Sequence, residues 1–198
     1  MFHTLRRSLV LLLLPTLLAA CSSTTLSGSW KSPEFQGKVH KVYILAVANK
    51  DIVRRMVEDE FGRQLKALGA TALSSYQELT SLENVDRQAV AERIRVNGAD
   101  SVLMARLVDR YTEQVTSQPV YYSNWGGYYD NRFESIYIPP STVEFDIAAI
   151  EAKLFDAKTG NLIWSGHLET LIEPAAMEKT VSDFVKTVSE DLQKKGLL

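Results

Sequence analysis

The chain has a single cysteine, Cys21, so no intramolecular disulfide can form and packing must hold the fold. Histidine is scarce, and neither His40 nor His167 has a second histidine or a glutamate at metal-ligand spacing. No Gly-x-Ser-x-Gly elbow occurs. Ala48-Asn49-Lys50-Asp51 stands where a Gly-rich phosphate loop would follow the first expected strand. Positive charge is not in excess: 22 Lys and Arg against 24 Asp and Glu leave a formal charge of -2. A nucleic-acid partner would need a basic patch, so none is expected. The longest apolar run, residues 9–18, is about half the ~20 residues that cross a bilayer, and Pro15 interrupts it. These absences argue against an enzyme, a metal or other cofactor, and a membrane-spanning protein. An enzyme would need a pocket that gathers His167 with an acid and a hydroxyl.

What is present begins with the leader. Arg6 and Arg7 precede the apolar run, and small residues Ala19 and Ala20 precede Cys21, which are the parts of a secretory signal. Leu18-Ala19-Ala20-Cys21 resembles a bacterial lipobox, in which the thiol is acylated and becomes the new N-terminus. The resemblance implies a signal peptide over residues 1–20 and a diacylglycerol thioether, with acyl chains such as palmitate, on Cys21. One chain holds a protein weakly, whereas two or more anchor it. Ser22 follows in place of Asp, which in such lipoproteins implies the outer membrane of the cell envelope, facing the periplasm. Loss of Arg6 and Arg7 with the leader takes the formal charge from -2 to -4.

Residues 21–37 are rich in Ser, Thr and Gly, lack a sustained apolar pattern and read as a flexible tether, with Trp30 and Phe35 docking its last part onto the domain. Residues 38–198 read as one α/β domain. Residues 39–48 are apolar on both faces, as in a central parallel strand. Asn49 and Asp51 are expected to cap a helix whose stripe is Val53, Val57, Phe61 and Leu65. Its Arg54–Glu58 and Arg55–Asp59 pairs read as a solvated face. Gly69 suits a left-handed cap. A second strand (70–74), a helix opened by Asp86 and a long third strand (101–115) follow. A fourth (143–155) changes apolar parity near Ala148-Ala149, which suggests a β-bulge. A turn at Gly160 leads to a fifth strand (162–172), and a last helix follows Pro174. The expected fold is a mixed five-stranded sheet in the order 2-1-3-4-5, the last two strands antiparallel, with three helices.

Residues 118–140 form the candidate functional element. This loop carries Tyr121, Tyr122, Trp125, Tyr128, Tyr129, Arg132 and Phe133 around Gly126-Gly127. Tyr and Trp give large contact area at low side-chain entropy cost, with a polar tip. That suits a protein partner, a glycan or a membrane interface. A satellite cluster covering the sheet, or a disordered flap, are the alternatives.

Several segments resemble one group. They include Ser29-Trp30-Lys31-Ser32-Pro33, Lys41-Val42-Tyr43-Ile44-Leu45-Ala46, Gly98-Ala99-Asp100-Ser101-Val102-Leu103, and Thr159-Gly160-Asn161-Leu162-Ile163-Trp164-Ser165-Gly166. Together they resemble uncharacterised bacterial envelope lipoproteins with a small α/β domain, and more distantly the curli-secretion lipoprotein and TolB N-terminal type domains. The resemblance implies a fold and a location, and brings no catalytic residue. The function expected is a non-catalytic binding or assembly module, anchored to the membrane through Cys21 and meeting an envelope protein or glycan. A periplasmic receptor for a small ligand or glycan is the alternative reading. Trp164 reads as packing before ligand contact.

Overall fold

Strand β2 (Lys41–Val47) is buried along Val42 to Ala46, and the sheet is built outward from it. The computed structural model describes residues 23–79, 86–122 and 136–198. β2 lies parallel to β3 (Thr71–Ser74) on one side and to β4 (Ser101–Thr116) on the other. β4 pairs antiparallel with β7 (Thr142–Asp156), which pairs antiparallel with β8 (Leu162–Leu171). β8 in turn pairs antiparallel with β1 (Thr24–Lys31) at the edge. The order β1-β8-β7-β4-β2-β3 makes a six-stranded mixed sheet in one α/β domain. A separate two-stranded ladder joins β5 (Val120–Tyr122) to β6 (Ile136–Ile138).

The expected order of the five strands is present, with β1 added. β1 corrects the reading of residues 21–37 as a tether. Only Thr24 and Leu26 of its first half point inward, so it shows no apolar alternation that a sequence could reveal. It is a strand because β8 offers a free edge. Thr24 Oγ1 and Thr170 Oγ1 lie 2.8 Å apart, and both residues are buried. Ser23 donates from its N–H (3.0 Å) and its hydroxyl (2.7 Å) to one oxygen of Asp183. Burial opposes ionisation of Asp183, but hydrogen bonds from Lys179 and Ser23 hold its carboxyl below the usual range.

Helices α1 (Asp51–Ala67) and α3 (Met177–Lys194) lie side by side on one face of the sheet. Phe61 and Phe184 meet edge to face there, with centroids 5.8 Å apart. The right-handed crossovers β2-α1-β3 and β3-α2-β4 put α2 (Arg87–Val96) on the opposite face. Asp86 caps α2, accepting from Gln88 N–H at 3.2 Å. The expected cap of α1 does not form: Lys50 takes the N-cap position, and no side chain bonds the first-turn N–H groups. Gly69 does adopt φ +89°, in the left-handed region.

The Arg54–Glu58 pair is a correction. Its side chains are 3% and 0% exposed. Glu58 accepts from Arg54 Nε (3.1 Å), Ser75 Oγ (2.7 Å), Ala46 N–H (3.1 Å) and Tyr76 N–H (2.9 Å). The carboxylate thus ties α1 to β2 and to the 3-10 turn Ser75–Gln77. Arg55 pairs with Asp51 at 2.8 Å rather than with Asp59, which accepts from the Tyr76 hydroxyl. The β-bulge expected near Ala148-Ala149 is present in the β4–β7 ladder, but its extra residue is on β4. β7 keeps unbroken register with β8 there, and the shift opposite it is in β4 at Val108.

Candidate functional site

Two features meet at one end of the sheet, where β2 and β8 end and β4 and β7 run on. The first is a cavity of about 270 Å³ between the sheet and the N-terminal halves of α1 and α3. Its floor is shallow because Ala46, Ala48, Ala105 and Ala148 carry only a methyl group each. Its roof is Val53, Val57, Val181 and Phe184. Small residues below leave the space between sheet and helices unfilled. Leu107, Ile150, Ile172 and Met177 complete an apolar wall, and Lys50 and Arg110 stand at the rim. The place is a topological switch point: the chain leaves β2 toward β3 on one side, while β4 lies on the other. Ligands of open α/β sheets bind at such points.

The second feature is an arm. β4 outruns β2 after Arg106, paired with Val47, and β7 outruns β8 before Ile147, paired with Leu171. Beyond the Thr112–Asp146 pair only two strands remain. Their even-numbered residues make polar cross-strand contacts: Arg110–Asp146 (2.5 Å), Gln114–Glu144 (2.6 Å) and Thr116–Thr142 (2.9 Å). The Asp146 carboxyl is held below its usual range by Arg110 and Thr112. By strand alternation the odd residues Tyr111, Val115, Val143, Phe145 and Ile147 share the other face, with Glu113 opposite Phe145 as a charged member. Val115 is 51% and Val143 49% exposed, so this apolar stripe lies open. The arm continues through Ser117 N–H to Ser141 O (2.9 Å) into the β5–β6 ladder.

The aromatic loop therefore begins and ends as a hairpin at the tip of the arm. Tyr121 sits opposite Tyr137, and Tyr122 opposite Ile136. Trp125, Tyr128, Tyr129, Arg132 and Phe133 lie outside the described residues, as does Cys21. The arm was missed in sequence because alternation of period two looks the same whether a strand is inside a sheet or has left it. The cavity left a faint signal, since alanines recur at strand ends where larger apolar residues would fill a core.

Among the described residues, His167 and the buried Arg54–Glu58 pair lie outside the cavity lining. His167 is exposed on the sheet face away from the cavity, 3.8 Å from Glu151. Glu151 also pairs with Lys153 and Arg106, and the Lys153 hydrogen bond leads in lowering its carboxyl. Arg54, Glu58 and Ser75 are sealed from solvent. No group of three His, Cys, Asp or Glu that could hold a metal occurs among the described residues. Trp164 is fully buried and donates to Asp191 at 2.8 Å, so it packs rather than contacts a ligand. No described helix is long and apolar enough to cross a membrane.

No protein-family model and no curated protein matches the chain. Solved structures do resemble it. A PelC dodecamer protein from Paraburkholderia phytofirmans is 13% identical with a TM-score of 0.46, over 84% of this chain and 95% of that one. Lipoprotein GNA1162 from Neisseria meningitidis is 12% identical with a TM-score of 0.41, over 76% of this chain and 99% of that one. A homolog of neuraminyllactose-binding hemagglutinin from Helicobacter pylori is 12% identical with a TM-score of 0.36, over 81% and 89%. These likenesses bring no link to curli-secretion or TolB-type domains, and at these values none assigns a ligand or an assembly state to the chain.

Proposed function

We propose that this protein is a non-catalytic binding or assembly module of the bacterial envelope. It is anchored through lipid on Cys21, at the outer membrane facing the periplasm, and meets an envelope protein or glycan through its arm. The observation that carries this reading is the arm itself. A free two-stranded ribbon is marginally stable in water, and this one keeps a polar face paired within itself and a second face, apolar except for Glu113, open at its outer end. Open apolar surface of this kind marks an interaction site. The position of His167 away from the cavity supports a role without catalysis.

The test is a pull-down from solubilised membranes, comparing wild type with the Tyr121→Ser, Trp125→Ser, Tyr129→Ser triple variant. The expected result is loss of the captured partner with the thermal unfolding midpoint unchanged. Equal capture by both proteins would remove the hairpin from the binding site. Intact mass of Cys21 checks the anchor independently.

A further inference from the structure

The cavity and the start of the chain lie at the same end of the sheet. Ser23 O accepts from Leu171 N–H at 3.1 Å, and Ile172, the residue just after that strand, lines the cavity. Thr170, bonded to Thr24, lines it too. Cys21 is two residues before Ser23, which is at most ~7 Å of chain. An acyl group on Cys21 is therefore tethered beside a cavity whose lining is mainly apolar.

The surface around the mouth has the character of a bilayer-facing one. Ile52 is 63% and Leu107 44% exposed, and Val47 and Val108 are exposed beside them. Lys50 makes no ion pair among the described residues, while Asp51 is neutralised by Arg55. Cations among exposed aliphatic side chains favour the headgroup boundary of a membrane. The cavity wall is mainly apolar, with Thr170 and Thr180 its polar members between sheet and helices and Asn49, Lys50, Arg106 and Arg110 the others, so most of its surface suits an acyl chain better than the hydroxyls of a sugar.

We propose that the cavity seats one acyl chain of the lipid carried by Cys21, which clamps this end of the domain against the bilayer and fixes how the arm is presented. The inference rests on the anchoring at Cys21 given above. The remaining chains of the lipid stay in the membrane, so one anchor both attaches and orients the body.

The test uses the full-length protein made with its own leader, in cells fed a palmitate analogue bearing a diazirine. After reconstitution into phosphatidylethanolamine and phosphatidylglycerol vesicles, irradiation and peptide mapping read where the chain lies. The expected result is a cross-link from the Cys21 peptide to peptides containing Val53 and Val57, or Val181 and Phe184. Filling the floor with Ala148→Phe should lower its yield at least tenfold, and Leu107→Trp at the rim gives a second block if Ala148→Phe fails to fold. Labelled Cys21 that cross-links only to lipid overturns the proposal. So does a cavity cross-linked by labelled phospholipid but not by the Cys21 peptide, or a yield indifferent to whichever block folds. A free thiol at Cys21 would instead sink the anchoring reading as well, and the mass of the peptide shows which has failed.

Discussion

The Tyr43 hydroxyl is buried without a hydrogen-bond partner among the described residues. Burial, then the nearby Glu78 and Glu58 carboxylates, push its pKa up to about 12. A raised value means that the folded state holds its proton longer than the unfolded one. Stability is therefore level below about pH 10, the unfolded value, and falls as pH rises through 10 to 12. Tyr43→Phe should leave stability at pH 7 unchanged or slightly higher, since no bond is lost. It should also flatten that alkaline decline, as read by denaturant unfolding at pH 8 to 11. Gly166 is constrained differently. A Cβ there would lie 2.7 Å from Trp164 Cη2 and 3.3 Å from Leu26 Cδ1. Gly166→Ala should cost about 1–3 kcal/mol by overpacking, seen as a lower denaturation midpoint. Trp164 was legible as a packing residue, whereas the need for a small residue at Gly166 was not, because it depends on which way the indole lies along the strand face. Glu58 was not legible. A charged pair four residues apart on a helix has the same spacing whether water or Ser75 and the Ala46 N–H receives it.

Among the elements, those with strong periodicity were readable: β2, α1 and α3 carry their burial pattern in their own residues. β1 was not, because most of what holds it belongs to β8 and Asp183. The arm is separable from the rest. Replacing residues 113–145 by Asn-Gly would close Thr112 onto Asp146 in a two-residue hairpin. The variant should keep its global unfolding free energy within about 1 kcal/mol, since the stripe removed is already in water. It should lose the partner captured by wild type. A large fall in stability would instead show that the arm packs on the body.

For the molecule as a whole, the sheet closes only when β1 is present. Without it, β8 would be an unpaired edge, and Leu26 would no longer cover the ring of Trp164. A chain starting at Ser32 should aggregate on refolding, as light scattering would show, whereas a dispensable leash would leave a soluble domain. β1 also sets the direction of the body. It starts beside Leu171 and ends at Lys31, whose Nζ reaches Lys195 O at 2.9 Å. The last residues stay at that far end, where Val39 N–H meets Leu197 O at 2.9 Å. First and last described residues are thus at opposite poles, separated by the height of the sheet. A reporter fused after Leu198 would ride on the side remote from Cys21, so its distance from the membrane would measure the upright stance of the protein.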